Sequence, residues 1–125
     1  MSQDIISDAL NKIMNGKRNG SKEIFVKRSS KLLINLLEIA KNNGYIEDYK
    51  KEKNDIIVKI RDTLNECKTI KPRKTVSKSE IIKYVKRYLP AKNIGIVVVS
   101  TNKGVLTHQE VIDMKIGGCL IAYFY

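Results

Sequence analysis

The sequence predicts an α+β (mixed α/β) protein built as two small lobes. Three observations lead there. Apolar residues recur at helical spacing in some segments and form short strand-length runs in others. The element types read α-β-α-β-β in the first half, then mainly strand with two short helices. The length, 125 residues, suits one domain or two very small ones that share an interface. No Pro-, Ser- or Gly-rich linker separates the halves, so lobes at 1–64 and 65–125 are expected side by side.

The first helix is expected from Asp4 to Asn15, with Ile5, Ile6, Ala9, Leu10, Ile13 and Met14 on one stripe. Gly16 and the Asn19-Gly20 turn stop it. A strand follows at Glu23–Arg28. Ser29 or Ser30 then caps a second helix lasting to Lys41, and Asn42-Asn43-Gly44 ends it. Strands at Tyr45–Tyr49 and Asp55–Arg61 flank a charged turn, Lys50 to Asn54. The second lobe opens with a strand, Cys67–Ile70, ended by Pro72. Ser77 and Glu80 have capping-box spacing for a helix that Pro90 stops. Ile94–Val99 is a continuous apolar run and reads as a central strand. The loop Ser100-Thr101-Asn102-Lys103-Gly104 leads to a short helix carrying Val111 and Ile112, capped by Thr107 and Glu110. Gly117-Gly118 turns the chain into a last strand, Cys119–Tyr125, whose near lack of charge implies burial on both faces.

Charge narrows the function. The chain has 24 Lys and Arg against 13 Asp and Glu, for a net charge of +11. Nine basic residues and one acid, Glu80, fall between Lys68 and Lys92. Such a field concentrates polyanions at the surface. No apolar run approaches the roughly 20 residues that span a bilayer, and no secretory signal opens the chain, so the expected setting is cytoplasmic and off the membrane. Cys67 and Cys119 form no CxxC pair, and His108 is the only histidine. Neither a cofactor nor a metal site is expected.

The loop from Ser100 to Gly104 is the most informative local feature. Ser100, Thr101, Asn102 and Lys103 offer two hydroxyls, an amide and an ammonium, and Gly104 admits a close backbone. An ordinary strand-to-helix turn would look the same. Ser100-x-x-Lys103 also matches a Ser-x-x-Lys catalytic spacing, but its partner motifs are missing. No P-loop, triad or paired carboxylates support an enzyme. Helix-turn-helix and zinc-finger patterns are absent too, and small polar loop side chains suit RNA shape and 2′-hydroxyls. Lys71, Arg73 and Lys74 are added as phosphate partners from charge alone.

At this point the chain resembles a known family, the eighth protein of the small ribosomal subunit in its archaeal and eukaryotic form. The run from Ile94 to Glu110 carries the Ser-Thr-x-x-Gly signature, followed by Gly117-Gly118 and Leu120-Ile121-Ala122-Tyr123. Further matches are Asp8-Ala9-Leu10-Asn11, Ser29-Ser30-Lys31-Leu32, Asn43-Gly44-Tyr45-Ile46, Leu64-Asn65, Ile70-x-Pro72-Arg73 and Tyr88-Leu89-Pro90-Ala91. The resemblance implies a two-lobed fold and direct binding to an irregular stem in the central domain of 16S-type small-subunit rRNA. It also implies a monomer within the subunit, beside neighbouring ribosomal proteins, that helps assemble the platform. Carried over, Ser100, Thr101, Asn102 and Gly104 contact rRNA, Lys103 meets phosphate, and Ser30 and Lys31 form a second patch. Asn102 departs from the family's usual Ser or Thr, Cys119 from a polar residue, and the Lys50–Asn54 hairpin is shorter. A free RNA chaperone or mRNA-binding regulator is the alternative function.

Overall fold

A computed structural model describes residues 5–27, 30–53, 55–91 and 94–125, without the side chains of residues 71–73. The fold is α+β, and the chain divides into two compact units, 1–68 and 69–125.

In the first unit, helices α1 (Ile5–Arg18) and α2 (Lys31–Asn42) accompany strands β1 (Glu23–Val26), β2 (Ile46–Glu52) and β3 (Asp55–Ile60). The strands form one antiparallel sheet in the order β1-β3-β2. The stripe read from α1 is the buried one, with Ile6, Ala9, Leu10 and Ile13 sealed. Leu33, Leu36, Leu37 and Ala40 of α2 and Ile56 and Val58 of β3 complete this core. Cys67 closes it against α1: its amide donates to Met14 Sδ at 3.2 Å. Burial pushes the Cys67 thiol up to about 12, so it behaves as a small apolar group.

The hairpin between β2 and β3 is tighter than the sequence suggests. Lys50, Lys51 and Glu52 belong to β2, and Lys53 turns the chain at φ +55°. Charged residues fit this strand because β2 is an edge strand whose side chains are mostly exposed. The expected start of α1 at Asp4, the end of β1 at Arg28, the alternative cap Ser29 and the turn residue Asn54 lie outside the described residues.

The second unit holds a four-stranded sheet in the order β4-β7-β5-β6, with two helices. Its elements are β4 (Cys67–Val76), whose first two residues fall in the first unit, α3 (Ile81–Tyr88), β5 (Ile96–Thr101), β6 (Gly104–Thr107), α4 (His108–Met114) and β7 (Gly118–Phe124). Val97, Val99, Val111, Leu120, Ile81 and Ile70 share one core cluster. Ile96, Val98 and Ala122 are buried as well, so β5 and β7 are apolar on both faces. Tyr123 and Tyr125 pack against the same cluster and stack on each other at 6.0 Å, and Tyr88 stacks on Tyr123 at 5.7 Å.

Three expectations need correction here. β4 does not end at Pro72 but runs on to Val76; it is an edge strand, where a missing amide donor can face outward at no cost to the ladder. Ser77 and Glu80 form only half a capping box. The Glu80 carboxylate accepts from the Ser77 amide at 3.3 Å and hydroxyl at 2.9 Å, but the Glu80 amide goes to the Ser77 carbonyl, and α3 starts one residue later. The segment after β5 is not a strand-to-helix loop, because β6 intervenes.

Candidate nucleic-acid interface

The strand β6 turns the Ser100–Gly104 segment into the tip of a β-hairpin. Ser100 pairs with Val105 and Thr101 with Gly104, which leaves Asn102 and Lys103 as a two-residue turn. Both turn side chains are exposed. Thr101 builds the turn. Its hydroxyl donates to the Gly104 carbonyl at 2.8 Å and accepts from the Lys103 amide at 3.0 Å. That closes the end of the hairpin with a side chain, as hydroxyl-capped turns do. Gly104 takes φ +114°, a conformation that side-chain-bearing residues rarely adopt, and an added Cβ there would meet nothing within 4 Å. The backbone at Gly104 is thus bare and open to a close-approaching ligand.

The hairpin's stem is fixed from its other side. Ser100 is opposite Cys119 in β7. A Cβ on Gly118 would lie 2.6 Å from the Ser100 carbonyl oxygen, so only glycine allows this approach. Cys119 is half-buried, next to the hairpin base. The capping box read from the sequence holds the far end: Thr107 Oγ1 accepts from the Glu110 amide at 3.4 Å, and the Glu110 carboxylate accepts from the Thr107 amide at 3.4 Å. The hairpin is therefore clamped at both ends of β6.

Ser30 and Lys31 belong to the first unit. Ser30 is the N-cap of α2, and its hydroxyl accepts from the Leu33 amide at 3.1 Å. Lys31 is exposed in the first turn, where the helix dipole favours anions.

Of the three cations added from charge, Lys71 and Arg73 have side chains outside the described residues. Lys74 is exposed, and its Nζ lies 4.8 Å from the centre of the Tyr84 ring. Lys83 and Arg87 approach the same ring at 5.9 and 5.2 Å. One buried tyrosine thus gathers three cations from β4 and α3, within contact range for cation–π attraction. Lys83 and Arg87 were part of the basic run but not singled out. Their spacing around Tyr84 is legible in the helix; the partnership with Lys74 is tertiary. A second polar group lines a shallow groove beside α1, where Asp8, Asn11, Lys12 and Asn15 share the wall with Lys27. The Asn11–Asn15 spacing of four residues was the available signal.

Among the described residues no three His, Cys, Asp or Glu side chains cluster to hold a metal, and no helix is long and apolar enough to cross a membrane.

The family model for ribosomal protein S8 matches residues 4–125. The chain is 43% identical to small ribosomal subunit protein uS8 of Nanoarchaeum equitans and 39% identical to that of Archaeoglobus fulgidus, with both chains of each pair covered completely. It is 29% identical to uS8A of Schizosaccharomyces pombe over 98% of each chain. With the antiparallel α+β units and the Ser-Thr-Asn-Lys-Gly hairpin in hand, the chain belongs to the ribosomal protein S8 family.

Proposed function

We propose that this chain is a structural constituent of the small ribosomal subunit that binds the central domain of 16S-type rRNA and helps assemble the platform. The observation that carries the reading is the hairpin tip. An exposed amide and an exposed ammonium stand on a turn that Thr101 closes internally, beside a bare backbone at Gly104. Asn102 can donate to and accept from base edges or 2′-hydroxyls of an irregular stem. Lys103 supplies charge to phosphate, and Ser100 and Thr101 set the angle at which both are presented.

The unit from residue 69 onward carries this main contact. Ser30 and Lys31, at the start of α2, make a second contact on the first unit, and Lys71, Arg73 and Lys74 add phosphate neutralisation. The chain works without a cofactor, as a monomer in the cytoplasmic ribosome, beside neighbouring small-subunit proteins. Its role is to bind; in keeping with this, the Thr101 hydroxyl is held by Gly104 and Lys103 rather than by a base.

Purified protein titrated against a central-domain stem and against random duplex RNA tests the reading. Specific interfaces exceed non-specific ones by roughly a thousandfold or more. A preference of that order is expected; equal affinity at moderate salt would refute it.

A further inference from the structure

The stem of the hairpin is held by one hydrogen bond that no backbone pairing supplies. β6 pairs with β5 from Gly104 opposite Thr101 to Thr107 opposite Val98. One step further, the same register sets residue 108 opposite Val97. In an antiparallel ladder alternate residues turn both main-chain groups toward one neighbour, so Thr101, Val99 and Val97 share a direction. The next acceptor for the Val97 amide would be the main-chain carbonyl of residue 108. That carbonyl has left the sheet, because His108 opens α4.

The side chain of His108 takes its place. Its Nδ1 accepts from the Val97 amide at 3.1 Å, and both residues are buried. A neutral imidazole that accepts at Nδ1 carries its proton on Nε2. The imidazole thus adds a rung to the β5–β6 ladder after β6 has ended. That rung matters because β6 is only four residues long, and a short two-stranded hairpin is marginal by itself. Without the imidazole, a buried amide would stand unpaired in the strand that carries Ser100 and Thr101.

This rung differs from the others in having an acceptor that can be protonated. A main-chain carbonyl accepts throughout the ordinary pH range, whereas an imidazolium donates at both nitrogens and would set N–H against N–H. The surroundings oppose the added charge. From α3, Lys86 lines the same cavity as His108 and repels a second cation. On α4, Asp113 is exposed and the Glu110 carboxylate is turned to the Thr107 amide and hydroxyl. β5 and β6 bring no ionisable side chain, and the β7 residue opposite Val97 is Tyr123. Burial favours the neutral ring in the folded chain. We infer that His108 is a positioning residue for RNA recognition: its Nδ1 completes the β5–β6 ladder, holds the register that presents Asn102 and Lys103, and releases the stem when protonated. The inference rests on the proposed reading of the hairpin as the element that gives specificity.

The ratio of affinities for the cognate stem and for random duplex tests it, measured from pH 7.5 to 5 with folding followed by circular dichroism. In the parent the ratio should fall by roughly tenfold, the cost of one unmet buried hydrogen bond. In His108→Asn, whose side-chain carbonyl accepts throughout this range, it should change by less than about twofold. His108→Leu has no acceptor and should give the low ratio at every pH; if it does not fold, the parent and His108→Asn decide. Protonation of the RNA is common to all three proteins and cancels between them. The amide resonances of Val97 and of residues 102–104 should also shift together as pH falls in the parent, and stay in place in His108→Asn. Parallel pH profiles for the parent and His108→Asn, or a Val97 amide that titrates without the tip, would overturn the positioning role and leave the RNA reading intact. Equal affinity of the parent for both RNAs at pH 7.5 would instead overturn the RNA reading, and the role with it.

Discussion

Asn102 and Lys103 share one turn, yet their removal has different consequences. An amide reads donors and acceptors at fixed positions, whereas an ammonium is a compact charge that any phosphate satisfies. Asn102→Ala should lower affinity for the cognate stem by about five- to a hundredfold, the cost of unmet hydrogen bonds, and barely change binding to random duplex. Lys103→Ala should weaken both equally and reduce the salt slope by roughly 0.7 to 0.9. Thr101 acts on geometry. Thr101→Ser keeps both turn hydrogen bonds and should retain specificity; Thr101→Val removes them and should lose it. Titrations of each variant against both RNAs at several salt concentrations separate these effects. His108 is the residue that ties stability to pH. Burial holds its imidazole below its ordinary value of 6.5 in the folded chain. The unfolded chain therefore takes up the proton first, and stability present above about pH 6.5 is lost as pH falls through the lower folded value. Thermal melts between pH 7.5 and 5 should show that loss in the parent and a flatter profile in His108→Asn, which keeps an acceptor near Val97. Asp48, lowered by the Tyr49 amide, and Glu80, lowered by the Ser77 hydroxyl, act in the same direction only at more acid pH.

At the scale of elements, the hairpin leans on β7, a strand that contributes no residue to its tip. Gly118→Ala places a methyl group against the Ser100 carbonyl, and β7 must shift away from β5. Such overpacking costs about 1–3 kcal/mol. A lowered melting temperature and reduced specificity for the cognate stem are expected together, whereas unchanged specificity would show the tip to be independent of its stem. The same elements show what could be read from the residues. Ser30 and the Thr107–Glu110 pair were legible because caps are local chemistry, settled within four residues. The stripes of α1 and α2 were legible because one face must be buried. β6 was not: four residues with a single buried side chain carry no period, and the capping signal beside them drew the segment toward helix. Pro72 misled because a proline ends a central strand but not an edge, and edge position belongs to the sheet order. The hairpin residues themselves were all visible in the sequence. The division between those that present chemistry and the one that shapes the turn was not, since it depends on how Thr101 meets Gly104.

Over the whole molecule, two kinds of interaction with RNA operate at different ranges. A net charge of +11 attracts any polyanion over about a Debye length, 8 Å at physiological ionic strength. That attraction sets encounter and non-specific affinity, and it fades with salt. On the proposed reading the hairpin acts only at contact, where shape and hydrogen bonding distinguish one stem from the others. In that proposal the three cations around Tyr84 act in the first way and Asn102 in the second. The decisive measurement is a hydroxyl-radical footprint on naked small-subunit rRNA, made with the parent protein and with an Asn102→Ala, Lys103→Ala double variant. Protection confined to one irregular stem of the central domain, and lost in the variant while weak diffuse binding persists, is the predicted result. An identical footprint from both proteins would place recognition away from the hairpin and contradict the account.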